Sequence, residues 1–407
     1  MNIAILAWEL NIKGGTQRQA LELALSLQNQ GHTVDVYCYA YDKEKSYQDL
    51  CEKLSIFAVT EYGKKETSSS SKPTSKSATH KLLYRFRVYA VLLRNIFTAG
   101  RPINQLAELV ASKHPLSYYD VINIHDYEVY KAARVLKHDN IVWMMNDLQR
   151  AKSDSEPSFS LLGILNKILI KLELKDIQKI VVLDERNKAL CKKHYGRDAY
   201  VVRSGIDLEM FTKASHKRTF NKKEYSIFAS SIFFPHRRFE DLVDAIEILA
   251  KDKCTNIHLA INGLNDRSYD YYLFIRDRIV EKNLSSYITI INGLPETELV
   301  KKYTESDIFV FPNNNQTWGL AVFEAMLAGC VCVVSKGSGA HEVLIDKENA
   351  LLVDPKSPEK IAGAIASLVE NPAEMARISE NGVQFVKNNL SWDTYAQNML
   401  AIFTQGV

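Results

Sequence analysis

The chain has 407 residues, 46% of them apolar and 24% charged, with a formal net charge of +3. That length suggests two domains of ordinary size, and the composition is that of a globular protein with full cores, which excludes a disordered or fibrous chain. The near-balanced charge gives no general affinity for polyanions, so nucleic acid is not an expected partner, and no apolar run is long enough to span a bilayer.

Residues 3–7 are a short continuous apolar run, as expected of a parallel strand covered on both faces. No basic stretch precedes them, so they do not read as a signal peptide. Gly14-Gly15 follows, then Thr16-Gln17-Arg18-Gln19, in which Thr16 and Gln19 make a capping box. Ala20, Leu23, Ala24 and Leu27 recur at helical spacing, Gly31 ends the helix, and Val34 opens the next strand. This is a βαβ unit with a glycine-rich turn at the carboxyl end of its first strand, where open α/β sheets bind ligands. No G-x-G-x-x-G is present.

Residues 62–101 break the pattern. Their first part holds Lys64, Lys65, a serine run at 68–71, Pro73 and Lys76, and reads as a flexible loop. Their second part, from His80 to Arg94, mixes Lys and Arg with aromatic and aliphatic residues and holds almost no acid. Two readings are open: a helix lying on an anionic membrane surface, or a core helix whose basic residues face solvent. A second such segment, 161–174, reads as a packed helix.

Further strands are expected at 121–124, 141–145, 180–183 and 200–202, and a polar, lysine-rich linker at 204–224. A second αβ series follows, with strands at 226–229, 257–261, 287–291, 308–311 and 331–334 and helices such as 241–250 and 296–303. The six cysteines, Cys38, Cys51, Cys191, Cys254, Cys330 and Cys332, include no Cys-x-x-Cys pair and suit buried small hydrophobes in a reducing cytoplasm.

Residues 310–329, VFPNNNQTWGLAVFEAMLAG, carry the most chemistry. A strand ends at a proline, a polar loop runs to Gly319, and a helix begins at Leu320. Gly319 allows close backbone approach, and the free amides at the helix start attract an anion. Glu324, one turn further in, suits two sugar hydroxyls. A diphosphate on the amides and a ribose on the carboxylate describe a nucleotide-sugar. The plain alternative is an ordinary βα unit with a solvated loop.

This stretch resembles the donor-binding signature of the retaining glycosyltransferases of family 4, which have the GT-B fold. Gly319-Leu320 and Glu324-Ala325-Met326 match the family pattern, whereas Gln316 replaces its first glutamate. Ser338-Gly339-Ala340-His341-Glu342 resembles the family's Gly-Gly-x-x-Glu loop. The likeness extends through residues 350–355 and Ser391-Trp392, and upstream to Ser204-Gly205-Ile206-Asp207 and Gly14-Gly15, so it covers nearly the whole chain.

The resemblance implies an α/β chain of two doubly wound Rossmann-like domains facing each other across a cleft. Residues 1–205 would form the acceptor-binding domain, with 62–101 inserted. Residues 206–388 would form the nucleotide-sugar domain, and 389–407 a helix crossing back to the first. It further implies transfer of a hexose-type sugar, with retention, from a UDP- or GDP-linked donor to a glycan or lipid-linked acceptor. Cell-surface polysaccharide or glycoconjugate biosynthesis is the expected setting. Family members with lipid-linked acceptors commonly dock on membranes, which residues 80–101 would serve.

The leaving diphosphate needs preorganised donors or cations. No Asp-x-Asp occurs, so neither a metal nor another cofactor is expected, and the charge falls to helix amides and Lys or Arg. By resemblance an arginine and, five residues on, a lysine belong at the start of the second domain. Counting back from Ala245 puts Arg237 at the lysine position and Ile232 at the arginine position. Arg237 brings bidentate phosphate geometry, and Arg238 either compensates for Ile232 or is a surface residue. Gln316 can hydrogen-bond the donor sugar but cannot serve as base or nucleophile. Thr317 belongs to the same loop, and Trp318 lines the pocket or is plain core. Gly263 and Leu294 stand at strand ends, with the backbone near Leu294 implied to hold the base. Gly15 is implied to face the donor. In the first domain Asn146-Asp147 and His125-Asp126 follow strands, and Asp147 is placed to orient an acceptor hydroxyl or is simply a turn residue. The combined loss at Ile232 and Gln316 leaves a second reading, a catalytically inactive GT-B protein that partners an active transferase.

Overall fold

A computed structural model of the chain describes residues 1–61, 100–127, 129–146, 171–212, 219–252, 256–265, 268–315 and 318–405. Most of the basic segment 62–101, most of the expected helix at 161–174, and the site residues Asp147, Gln316 and Thr317 lie outside the described residues.

The chain divides into two compact units. Residues 1–182, 186–202 and 396–407 form the first, and residues 183–185 and 203–395 the second. The long run of the second unit begins at residue 203, at the head of the stretch expected to be a linker.

The first unit is built on a seven-stranded parallel sheet of order β3-β2-β1-β4-β5-β6-β7. Its strands are β1 (Asn2–Leu10), β2 (Thr33–Tyr41), β3 (Ser55–Glu61), β4 (Val121–His125), β5 (Ile141–Met144), β6 (Lys179–Val182) and β7 (Tyr200–Val201). The central strands β4 and β5 are buried from end to end, polar Asn123 and His125 of β4 included, as expected of a parallel sheet covered on both faces. The helix Gly15–Asn29 starts earlier than the capping-box reading allows. Gly14 is its N-cap, no side chain caps it, and Thr16 lies inside the first turn. At the other end of the unit, the buried Lys179 caps the last helix, Trp392–Thr404. Its Nζ donates to the carbonyls of Ile402 at 3.0 Å and Gln405 at 2.7 Å. A cation at a helix C-terminus is favoured by both the free carbonyls and the dipole.

The second unit holds a six-stranded parallel sheet of order β10-β9-β8-β11-β12-β13. The strands are β8 (Tyr225–Ser230), β9 (Ile257–Asn262), β10 (Ile288–Ile291), β11 (Ile308–Phe311), β12 (Val331–Ser335) and β13 (Leu351–Val353). One sheet face, with Ile227, Leu259, Ile261, Val331 and Val333, packs under the amphipathic helices Phe239–Lys251 and Pro358–Glu370. The other face stacks aromatic rings: Tyr303 meets Phe228 edge-on at 5.3 Å and lies 5.5 Å from Phe309. Burying such rings dominates a core's energetics. The strand order makes β8 the turning point, with β9 and β10 on one side and β11, β12 and β13 on the other. In doubly wound sheets the crevice at that point, outside the carboxyl ends of the strands, is where ligands sit. Among the described residues no helix is long and apolar enough to cross a membrane.

Candidate functional site

All six strands of the second sheet run parallel, so the loops after β8, β9, β10, β11 and β12 gather at one edge. The two loops flanking the turning point are joined there. After β8 the chain makes the short 3-10 turn Pro235–Arg237, and after β11 it enters the polar loop. With the Asn313 amide oriented to satisfy both its atoms, its oxygen accepts from Arg237 Nη1 at 3.0 Å and its nitrogen donates to the Arg237 carbonyl at 3.1 Å. Asn314 N–H donates to the His236 carbonyl at 2.8 Å. Asn313 is fully buried, which makes this junction rigid and holds the Arg237 guanidinium at the base of the polar loop.

Arg238 is in the left-handed region, φ 56°, and acts as N-cap residue of the helix Phe239–Lys251. Its guanidinium bonds Asp241 at 2.8 Å and 2.5 Å and Glu240 at 2.6 Å, so two carboxylates in the first turn already match its charge. The hydrogen bonds hold its pKa above the ordinary value. Ile232 is half-buried and Phe233 fully buried, so this stretch anchors apolar packing.

On the far side of β8, Asn262 bridges the strand ends. Its Nδ2 donates to Ser230 Oγ at 3.0 Å and its Oδ1 accepts from Leu294 N–H at 3.1 Å. Leu294 is thus tied by its backbone to the same edge. Gly263 is required by close approach, since a Cβ there would sit 2.0 Å from the Ser231 carbonyl oxygen.

The helix Leu320–Leu327 opens from Gly319, whose φ of 82° favours glycine, and no side chain caps it. The first amides of this helix are therefore available to an anion. Trp318 is 1% exposed and stacks on Phe323, with ring centroids 4.5 Å apart, so the indole is packed into the unit rather than laid open. Glu324 accepts from Tyr303 O–H at 3.3 Å. Burial drives the Tyr303 pKa well above its usual value, so the phenol stays protonated and donates. The loop after β12 completes the edge: a Cβ on Gly337 would meet the Asn313 carbonyl oxygen at 2.9 Å. Of the expected donor residues, Arg237, Gly263, Leu294, Trp318 and Gly319 stand in the loops at this edge, and Leu320 and Glu324 in the first two turns of the helix that leaves it.

Comparison with known proteins settles the family. The profile for "Glycosyltransferase Family 4" matches residues 13–210 and that for "Glycosyl transferases group 1" matches residues 210–385, in the expected order. The chain belongs to the family 4 glycosyltransferases. Among curated relatives, this glycosyltransferase is 24% identical to an uncharacterized glycosyltransferase of Methanocaldococcus jannaschii over 99% of its own length and 98% of the relative's. It is 25% identical to a D-inositol 3-phosphate glycosyltransferase of Corynebacterium efficiens over 52% of its length, and the match spans 53% of that relative. Among solved structures, HepE of Anabaena in complex with UDP superposes with a TM-score of 0.71 at 14% identity, covering all of both chains. The fold is GT-B, as the resemblance implied.

In the first unit of the glycosyltransferase, Gly15 is exposed at the uncapped start of its helix, which has no acidic residue in its first turn. His125 ends β4 fully buried. Asn123 Nδ2 donates to the Val142 carbonyl at 2.9 Å, which turns Asn123 Oδ1 toward His125 Nε2, 2.7 Å away. Burial lowers the His125 pKa to about 3, so the ring is neutral with its proton on Nε2. Its Nδ1 lies buried without a hydrogen-bond partner. Asn146 Nδ2, after β5, is likewise buried without a partner. Sequence reasoning missed Asn262 and Asn313 as organisers of the edge. Their signal was an asparagine directly at or after a strand end, but asparagine is common in every turn.

Proposed function

We propose that this glycosyltransferase moves a hexose-type sugar from a UDP- or GDP-linked donor to a glycan or lipid-linked acceptor, with retention and without a metal ion. The observation that carries the reading is the Arg237–Asn313 junction at the turning point of the second sheet, beside the uncapped helix that opens at Gly319. As the glycosidic bond breaks, negative charge develops on the leaving diphosphate. Arg237 and the amides at Leu320 are preorganised to meet it, and such fixed charges and dipoles usually lower the barrier more than any other feature of a site. Glu324, bonded by a protonated phenol, takes the ribose hydroxyls. The backbone at Leu294, held by Asn262, and the close turn at Gly263 take the base.

Gln316 and Thr317 orient the donor sugar in this reading. A glutamine cannot form a covalent intermediate or remove a proton, so the sugar is replaced on the face the phosphate leaves, and a phosphate oxygen takes the acceptor proton. Arg238, paired with Glu240 and Asp241, orders the turn that presents Arg237. Gly15 and Asp147 keep the roles implied by the family likeness, toward donor and acceptor. One finding about a similar protein supports the donor class: Anabaena HepE was solved with UDP-glucose. The basic, acid-poor run at 80–94 supports a membrane-borne acceptor and a place in cell-surface polysaccharide or glycoconjugate synthesis.

The test is a screen of UDP-, GDP- and ADP-sugars for release of the nucleotide, with mass detection and with excess chelator in a parallel series. The reading expects release from UDP- or GDP-sugars, unchanged by the chelator, and an α-linked donor giving an α-linked product. No turnover of any donor, or turnover abolished by the chelator, contradicts it. Liposome flotation with and without residues 64–101 tests the membrane-borne setting.

A further inference from the structure

Within the second unit, Glu342 sits in the short 3-10 turn Gly339–Val343 after β12. Its two carboxylate oxygens accept from the Glu185 backbone N–H at 3.1 Å and 2.9 Å. One of them also accepts from Arg203 Nη2 at 3.1 Å, with both side chains mostly buried. The Arg203 guanidinium then lies over the Trp318 ring, 5.8 Å from its centroid. Trp318 in turn stacks on Phe323, the residue before Glu324. The turn is pressed against the same spot: a Cβ on Gly339 would meet the Trp318 backbone nitrogen at 3.0 Å and Asp184 Oδ2 at 2.8 Å. A continuous chain of contacts therefore runs from the Glu185 amide through Glu342 and Arg203 to Trp318, which sits between Gln316 and the opening of the 320–327 helix.

From this geometry we infer that Arg203 and Glu342 are positioning residues for the donor loop. Glu342 fixes the guanidinium, and the guanidinium lies over the indole that also stacks on Phe323. A cation over a tryptophan face is attracted by the ring quadrupole, and more strongly where water is excluded. Arg203 Nε and Trp318 Nε1 are both buried without a hydrogen-bond partner, and the contacts that hold the two side chains include the Glu342 bond to Arg203 and the ring contacts of Trp318. Holding Trp318 in one rotamer sets how the donor loop enters the 320–327 helix. A misplacement of about 1 Å in such a loop is worth roughly 10²-fold in rate.

This inference rests on the donor reading of the edge, and the test separates the two. Steady-state transfer kinetics and calorimetric titration with UDP and GDP are run on the full chain and on Arg203→Ala, Arg203→Lys, Trp318→Phe and the Arg203→Ala/Trp318→Phe double variant. The expected result is a fall in kcat of ~10- to 10²-fold for Arg203→Ala, with nucleotide affinity and melting temperature little changed, and partial rescue by lysine. The double variant should be no worse than the poorer single variant, because both remove one contact. Glu342→Gln, which keeps the acceptor for Glu185 and Arg203 but not the charge, should lose less than Arg203→Ala. A kcat for Arg203→Ala within about twofold of the parent, or a double variant whose losses multiply, overturns the positioning role. Loss of nucleotide binding in step with kcat does so too, since it marks a general structural defect. Failure of the parent chain to bind either nucleotide overturns the donor reading instead.

Discussion

The Arg237 guanidinium and the Asn313 side chain hold each other across the turning point of the second sheet: Nη1 donates to Oδ1 at 3.0 Å, and Nδ2 donates back to the Arg237 carbonyl at 3.1 Å. One strand's exit loop is thereby fastened to the exit loop of its neighbour, and a cation is fixed at the crevice between them. A cation held in advance loses no reorganisation energy when charge appears in front of it.

Arg237→Ala should lower turnover by ~10²–10³ with the fold retained, the usual loss for one preorganised charge donor. Asn313→Leu, which leaves the arginine but removes its anchor, should cost less, on the order of 10-fold. Initial rates beside thermal melts check both. Arg237→Ala at parental rate removes the residue from the mechanism.

Gly263→Ala should destabilise the second unit by about 1–3 kcal/mol, as overpacking does, because the new methyl would sit 2.0 Å from the Ser231 carbonyl oxygen and backbone must shift. The urea midpoint of the second unit reports it. A midpoint equal to the parent's means the β8 and β9 exit loops are looser than described.

Glu324→Ala should weaken binding of the nucleotide by ~10-fold or more, the worth of about 1.4 kcal/mol. Tyr303→Phe removes the hydroxyl that donates to Glu324 but leaves the carboxylate, so nucleotide affinity should hold within about twofold, with a stability loss of about 1 kcal/mol. Equal effects of the two substitutions on affinity would assign Glu324 to packing rather than to the ribose.

His125 sets a pH dependence whose sign is fixed. Burial lowers its folded pKa to about 3, below the unfolded value near 6.5. The unfolded chain therefore binds the extra proton first as pH falls. The stability associated with the neutral ring is intact above pH ~6.5 and is lost progressively toward pH ~3, by up to about 1.4 kcal/mol per pH unit. Urea unfolding of the first unit between pH 4.5 and 7 should show this slope in the parent and a shallower one in His125→Gln. Equal slopes would mean the ring is hydrated.

Much of this was legible in the sequence, and the exceptions have physical reasons. The buried strands 121–124, 257–261 and 308–311 stood out because parallel strands covered on both faces are rich in apolar residues, with a single polar residue in each of the first two and none in the third. β3 and β13 were not singled out. Each lies at a sheet edge, where Ser55–Glu61 is only half-buried and Leu351–Val353 is three residues long, too short for a pattern. The Thr16–Gln19 capping box matched a motif but not the helix, since Gly14 supplies the extended N-cap backbone. The position of Arg237 was found by counting from a helix. Its partner Asn313 was not, because that pair joins residues 76 apart through the strand order, which local periodicity does not encode. The pairing of Arg238 was readable in principle, with acids two and three residues on. Arg203 and Glu342 come together only because the chain returns to the second unit at 183–185 and at 203.

The central claim is that the Arg237–Asn313 edge receives a nucleoside diphosphate. Calorimetric titration of UDP and GDP into the parent chain and into Arg237→Ala tests it most directly. One of the two nucleotides should bind the parent with one-to-one stoichiometry and bind the variant ~10-fold or more weakly. Equal affinity for both proteins, or no binding of either nucleotide to the parent, contradicts the account.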